Sequence, residues 1–341
     1  MKPLVLPPNQ FHRFYRGGAR IDALRGAAAG ADGRPEDWVG STATAFGEDS
    51  EGLSRLDDGR VLRDVIRAAP EDFLGPAHTE RWGADPALLV KLLDAGERLP
   101  VHFHPGRAFA RERLGQRFGK TEAWIIVEAD PGAVVHVGMR EPVDAATVRA
   151  WVDNQDAGEM LAAMHEVPVR AGDAVLVPAG TLHAIGAGIL LVELQEPTDL
   201  SVLLEWRRFG MDSGPEHLGL GWDTALAALA RDAADPATLV SPAGPPDGEP
   251  VAALLPDAAA PYFRAQRLRP ALGAVELEPS FAVLVAVDGE GTLRTEHGDA
   301  LALRRGSTVL VPFAAGRTTL DGAVDAIRCL PPADTDEEGA W

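Results

Sequence analysis

Cysteine is almost missing from the chain: Cys329 stands alone among 341 residues. That excludes an internal disulfide framework and any zinc site built on paired thiolates. A reducing compartment is therefore expected, and the cytoplasm is the economical choice. Lysine is nearly as scarce, with only Lys2, Lys91 and Lys120. Arginine carries nearly all the positive charge, and in a chain so biased the interior Lys91 and Lys120 stand out as compact, titratable ammonium groups. Long apolar runs are lacking too. No stretch of about 18 apolar residues offers a membrane span, and the opening "MKPLVLPPNQFHRFYRGG" has no signal-peptide core. A soluble protein with no membrane partner is the expectation. Positive charge is the last deficit, the formal net charge being -19. Nucleic-acid binding draws most of its affinity from basic side chains that neutralise phosphates, so no nucleic-acid partner is expected.

The chain is rich in breakers, with 36 Gly and 27 Pro, and 46% of its residues are hydrophobic. Many turns, sizeable cores and two or three packed units follow, mainly β. Residues 1–211 carry short apolar runs such as "ALLVKLLDA", "TEAWIIVEA", "AVVHVGM", "DAVLVPAG" and "ILLVELQE", which read as strands of a closed or sandwiched sheet. Within them, "DAATVRAWVDNQDAGEMLAAMHEV" has helical spacing and reads as an insertion near 144–166. Residues 212–260 hold a helix, "WDTALAALARD", and a linker, "SPAGPPDGEP". Strands return over 261–333, and 334–341 is an acidic tail.

Two segments superimpose. "AGDAVLVPAGTLHAIG" and "RGSTVLVPFAAGRTTL" both read Gly, five residues, Pro, which implies a repeated β unit. Beyond the proline the first copy reaches His183, where the second has Arg317. The first copy also contains "LPVHFHPG". Residues two apart on a strand share a face, so His102 and His104 can converge while Phe103 packs behind them. By the same rule "GKTEAW" puts Lys120 and Glu122 on one face, and "GTLHAIG" presents His183 after a Pro-x-Gly turn. Each histidine alone also fits a structural role. Together, three imidazoles and a carboxylate make a site for one divalent ion, zinc or another borderline metal, with no need of cysteine.

The spacing His-x-His, a later Glu, then Gly-x5-Pro-x-Gly-x2-His resembles the two metal-binding motifs of the cupin superfamily. More narrowly, "LLVKLLDAGERLPVHFHP", "GKTEAW", "VPAGTLHAIGAGILLVELQEPTD" and "EDWVGST" resemble successive blocks of the type I phosphomannose isomerases, over most of the chain. The resemblance implies two cupin-like β-barrel (jelly-roll) domains, a metal-bearing one over 1–211 and a metal-free one over 261–333. It further implies a zinc-dependent interconversion of mannose 6-phosphate and fructose 6-phosphate, with His102, His104, Glu122 and His183 as ligands and Lys120 in the active site. His102 stands where the family usually has glutamine. The family also places an active-site arginine four residues beyond an aspartate that matches Asp199, and here Leu203 occupies that position.

A C1–C2 carbonyl shift through a cis-enediol needs a base, a group that stabilises the enediolate, and return of the proton to the neighbouring carbon. Lys120 is a candidate for proton transfer or charge stabilisation, or else a salt-bridge partner. Asp199 can orient sugar hydroxyls or cap a turn. Ser41 and Arg107 are candidate substrate-binding residues, and Arg16, Arg20, Arg111, Arg113 and Arg117 are further possible replacements for the arginine. With that arginine absent, three alternatives stay open: an isomerase of a different or unphosphorylated sugar, an Fe or Mn cupin oxygenase, and a non-catalytic sugar-binding protein. The partner in the first and last is a small-molecule sugar or sugar phosphate. The sequence sets no oligomeric state.

Overall fold

The computed structural model describes residues 1–28, 33–211, 216–244 and 248–333. Strands dominate and fall into four antiparallel sheets. A seven-stranded sheet runs in the order Val240–Ser241, Ala174–Val177, Glu122–Ala129, Ile189–Gln195, Leu89–Ala95, Glu36–Val39, Gln10–Phe11. It faces a five-stranded sheet ordered Val202–Leu203, His102–Phe103, His183–Ile185, Val134–Met139, Met164–Pro168. Trp124, Ile126, Leu191 and Val175 of the first sheet share a core with Val135, Val137 and Ile185 of the second. A six-stranded and a four-stranded sheet, built mainly from 251–330, pack in the same way through Leu284, Val309, Leu293 and Leu320.

The backs of the two large sheets also meet. Val90, Leu92, Ile125, Leu190 and Val192 from one pack with Val283, Val285, Leu310 and Ile327 from the other. This explains why Leu89–Ala95 and Ile189–Gln195 are buried at every position and read as continuous apolar runs rather than alternating ones. It also makes a charge in either run informative, because neither face meets bulk water. Leu4–Val5 pairs with Thr308–Val311, joining the start of the chain to the six-stranded sheet.

The expected closed barrels are not found among the described residues. The seven-stranded ladder ends at the two-residue strands Gln10–Phe11 and Val240–Ser241, and no ladder carries it into the facing sheet. Beyond Phe11 the link across that edge is a side-chain pair, Arg13 with Asp199, instead of backbone hydrogen bonds. The insertion forms two helices, Ala145–Asn154 and Ala157–Ala163, capped by the side chains of Asp144 and Asp156. Val148, Trp151 and Val152, at i, i+3 and i+4, face Phe103, Leu182 and Val202 on the outside of the five-stranded sheet. "WDTALAALARD" gives only the short helix Trp222–Ala225 and a 3-10 turn, Leu226–Ala228. The linker's residues 245–247 and the acidic tail 334–341 lie outside the described residues. No described helix is long and apolar enough to cross a membrane.

Candidate metal centre and its cavity

Strand register brings the histidines together. His102 lies directly opposite His183 on one side and opposite Leu203 on the other. Pleating turns Phe103 into the apolar layer beneath the helices and returns His104 to the side of His102. Glu122 opens a strand of the facing sheet, with Lys120 two residues earlier. Two glycines permit the approach. A Cβ on Gly119 would meet Pro105, Gly106 and Arg107 backbone atoms at 2.6 Å, and this closeness lets the Lys120 N–H donate to Pro105 O at 3.0 Å. Gly180, with φ +87°, turns the chain so that its N–H donates to His104 O at 2.7 Å, which fixes the loop leading to His183.

All three imidazoles are oriented through Nδ1. That of His102 donates to Pro100 O at 2.9 Å, that of His104 to Leu200 O at 2.8 Å and that of His183 to Thr181 O at 2.8 Å. A carbonyl can only accept, so each ring carries its proton on Nδ1 and presents a lone pair at Nε2. Burial lowers all three pKa values, that of His104 to about 3, and the neighbouring imidazoles push His102 down further. The rings are therefore neutral. Their Nε2 atoms nonetheless crowd together, His102 and His183 at 3.0 Å. Glu122 adds Oε2 at 3.0 Å from His104 Nε2 and Oε1 at 3.3 Å from His183 Nε2. Glu122 Oε2 is buried with no aligned hydrogen-bond donor. Lys120 reaches His104 Nε2 and Glu122, but the lone pairs of His102 and His183 Nε2 face each other with no donor between them, which is repulsive unless a cation lies there, so this donor set fits a divalent metal. His102, His104 and His183 can hold one such ion.

The centre opens into a cavity of about 270 Å³ lined by a second charged group. Alternation places Lys91 and Glu193, directly paired across two strands, on the interior face. Lys91 Nζ lies 3.5 Å from Glu36 and 3.6 Å from Glu193. Arg13 lies 3.1 Å from Asp199 and 3.3 Å from Glu36. Lys120 Nζ is 3.0 Å from Glu122, 3.1 Å from His104 Nε2 and 3.9 Å from Glu193. Tyr15 donates to Glu36, and the Phe46 N–H donates to Asp199 at 3.1 Å. Burial pushes Glu193 up to about 8. Burial also opposes ionisation of Glu36, but Lys91 and Arg13 outweigh it and hold that carboxyl far below its usual range.

Glu36 should therefore contribute to acid sensitivity. A carboxyl whose pKa is depressed on folding contributes fully above its unfolded value, about 4.3, and loses that contribution as pH falls further, by about 1.4 kcal/mol per pH unit. Denaturant unfolding of the Glu36→Gln variant between pH 4.5 and 3 is expected to show a shallower pH dependence than the parent. Equal slopes would show that Glu36 is not held ionised by its neighbours.

Of the residues proposed from sequence, His102, Glu122, Lys120 and Asp199 line the cavity, and His104 and His183 stand behind them. Ser41 and Arg107 do not line it. Ser41 Oγ donates to Ala43 O at 3.0 Å and accepts from Ala43 N at 3.1 Å, so it closes a turn. Arg107 donates to Glu196 and to Pro261 O, with its guanidinium 4.7 Å from the Tyr262 ring, and so braces the two halves of the molecule. Arg16 pairs with Glu97, Arg20 with Asp130, and Arg117 donates to backbone carbonyls of Arg81 and Trp82; Arg111 and Arg113 are exposed. Sequence reasoning missed Arg13, Tyr15, Glu36 and Glu193. The signal for Glu193 was available, since a lone carboxylate interrupts "ILLVELQ" as Lys91 interrupts "LLVKLLDA".

No protein-family model matches the chain. It is 34% identical over 202 residues to the mannose-6-phosphate isomerase of Streptococcus mutans, a match spanning 58% of this chain and 58% of that protein. The chain thus covers less than two thirds of that relative's length. Among solved structures, the mannose 6-phosphate isomerase of Bacillus subtilis aligns with TM-score 0.76 at 22% identity, over 96% of this chain and 99% of that one. A mannose 6-phosphate isomerase bound with zinc and yttrium aligns with TM-score 0.73 at 16% identity, over 98% of this chain and 100% of that one. The resemblance read from the motifs is met by homology over part of the chain and by a shared fold over nearly all of it.

Proposed function

We propose that the chain is a metal-dependent aldose-ketose isomerase of the mannose-6-phosphate isomerase kind, interconverting C1 and C2 carbonyl sugars through a cis-enediolate. The observation that carries this is the set of three neutral imidazoles, each locked through Nδ1, whose Nε2 atoms converge beside Glu122 and Lys120. Zinc is the ion of choice, supported by the nitrogen and oxygen donors and by the zinc-bearing solved relative. When bound, the ion supplies a Lewis acid that polarises sugar oxygens.

The chain's own residues do the rest. Lys120, as the neutral amine formed when its ammonium passes a proton to Glu193, 3.9 Å away, removes the C2 proton of the aldose as the carbonyl electrons move to O1. It then returns a proton to C1 while O2 becomes the carbonyl oxygen and the O2 hydroxyl proton passes to O1. No oxidant or reductant is consumed. Asp199, held by Arg13 and the Phe46 N–H, orients sugar hydroxyls. The same reading takes 1–211 and 261–333 as two cupin-like jelly-roll domains, separated by 212–260, and is supported by the paired sheets and the Gly-x5-Pro repeat. It takes the cytoplasm as the setting, in keeping with a single, buried cysteine.

The test is ketose formation from a panel of aldoses by protein loaded with zinc and by the same protein after chelation. Metal-dependent formation of ketose is expected. Oxygen consumption without ketose would point instead to the oxygenase chemistry that a three-histidine, one-glutamate site also allows.

A further inference from the structure

We infer that Arg13 is a specificity-determining residue of this cavity: its Nη1 edge receives the phosphate of a sugar 6-phosphate whose C1 and C2 lie at the metal centre. The inference rests on the isomerase reading and concerns which side chain meets the far end of the substrate. The described lining residues that keep solvent exposure are His12, Arg13, Phe14, Phe46, Ser201 and Met211, so Arg13 is the one arginine or lysine in that set. Lys91 and Lys120 are buried, and Leu203, directly across from His102, brings no charge. The way Arg13 is held decides which of its N–H groups can meet a ligand. Nη2 donates to both carboxylate oxygens of Asp199, at 3.1 and 3.3 Å. Nε is buried 3.3 Å from Glu36. The Phe11 and Phe14 ring centroids lie 5.9 and 6.0 Å from Cζ. Nη1 has no hydrogen-bond partner among the described residues and, unlike Nε, is not buried. A guanidinium already fixed by a carboxylate and two rings presents its remaining N–H groups preorganised for an anion.

The surroundings favour an anion there. Arg13, Lys91, Lys120 and a divalent ion at the histidines outweigh Asp199, Glu36, Glu193 and Glu122 even with all four carboxylates ionised. Transfer of a proton from Lys120 to Glu193 leaves that balance unchanged. The rim adds Arg207 and Arg208, both exposed, and among the described residues no carboxylate pairs with either. They adjoin the mouth through Phe209, whose ring centroid lies 6.1 Å from that of Phe14 and 5.8 Å from Arg208 Cζ. Arg207 instead lies over the Trp206 ring, 5.2 Å away. Neither lines the cavity. Their screened charge draws a phosphate towards the mouth, and the fixed Nη1 of Arg13 holds it.

The test uses the zinc-loaded full chain, measuring kcat and KM with mannose 6-phosphate and with mannose and, separately, the binding of each by calorimetry. Arg13→Ala is expected to weaken mannose 6-phosphate about 10- to 100-fold in KM and in binding, the worth of a charged hydrogen bond. Mannose should change less than about threefold in the same variant, as should mannose 6-phosphate in Arg207→Ala and Arg208→Ala. Arg13→Lys keeps a charge beside Asp199 but loses the second nitrogen, so its loss should be smaller and equally confined to the phosphorylated sugar. That variant carries the comparison if Arg13→Ala does not fold. Equal losses for both sugars would mean that Arg13 acts only by positioning Asp199, and would overturn the assignment. A larger loss of mannose 6-phosphate binding in Arg207→Ala or Arg208→Ala than in the Arg13 variants would also overturn it. Selective loss of mannose 6-phosphate binding in the Arg13 variants, with no turnover of either sugar by the parent, leaves the assignment standing and ends the isomerase reading.

Discussion

Replacing His104 by alanine is expected to cost the protein its metal and its turnover together. The imidazole is buried, neutral and aimed by Leu200 O, with Nε2 within 3.0 Å of Glu122. Loss of an orienting outer-shell partner alone lowers metal affinity about 10- to 100-fold, so removal of a ligand should exceed the upper end of that range. Metal analysis after dialysis should find about one zinc per parent chain and little in the variant, with activity falling at least about 100-fold. His136 provides the control. It lies on the same sheet but pairs with Glu166, 3.6 Å away, so His136→Ala should keep its zinc. Full zinc and full activity in His104→Ala would remove the metal centre from the account.

Lys120→Ala should separate chemistry from binding. Its amino group lies within 3.0 Å of Glu122 and 3.1 Å of His104 Nε2, and it lines the cavity. Positioned proton transfer is worth about 10²- to 10⁴-fold in rate. A fall of that size in kcat is expected, with KM changed far less and zinc retained. Lys91→Ala makes a useful contrast, because that ammonium sits 4.7 Å from the Trp38 ring between Glu36 and Glu193, with a place in the charge network and none assigned in the proton transfer. If Lys120→Ala kept its kcat, proton transfer would have to be reassigned within the cavity, with Glu193 the next group to test.

The histidine cluster was legible because metal chemistry dictates local spacing. His102 and His104 share a face by strand alternation, and their convergence needed no knowledge of the rest of the fold. The second charged group was hidden for the opposite reason. Arg13 reaches Asp199 across 186 positions of sequence, and nothing in "FHRFYRGG" distinguishes Arg13 from Arg16. One lines the cavity with a 16% exposed side chain and the other's side chain is 83% exposed. Ser41 and Arg107 show the limit of motif proximity. Both lie near recognisable blocks, yet a turn at Ser41 and the Glu196 carboxylate beside Arg107 take up their polar atoms. The strands were readable from apolar runs, whereas sheet closure was not, since whether an edge strand pairs depends on neighbours distant in sequence.

The most direct measurement is NMR of aldose and ketose products after incubation with the zinc-loaded protein in D₂O. A proton-transfer isomerisation through an enediolate predicts loss of the aldose C2 proton to solvent and deuterium at C1 of the ketose, both abolished in Lys120→Ala. Ketose that retains the original hydrogen at C1 in full, with no exchange at C2 of the recovered aldose, would contradict an enediolate open to solvent exchange.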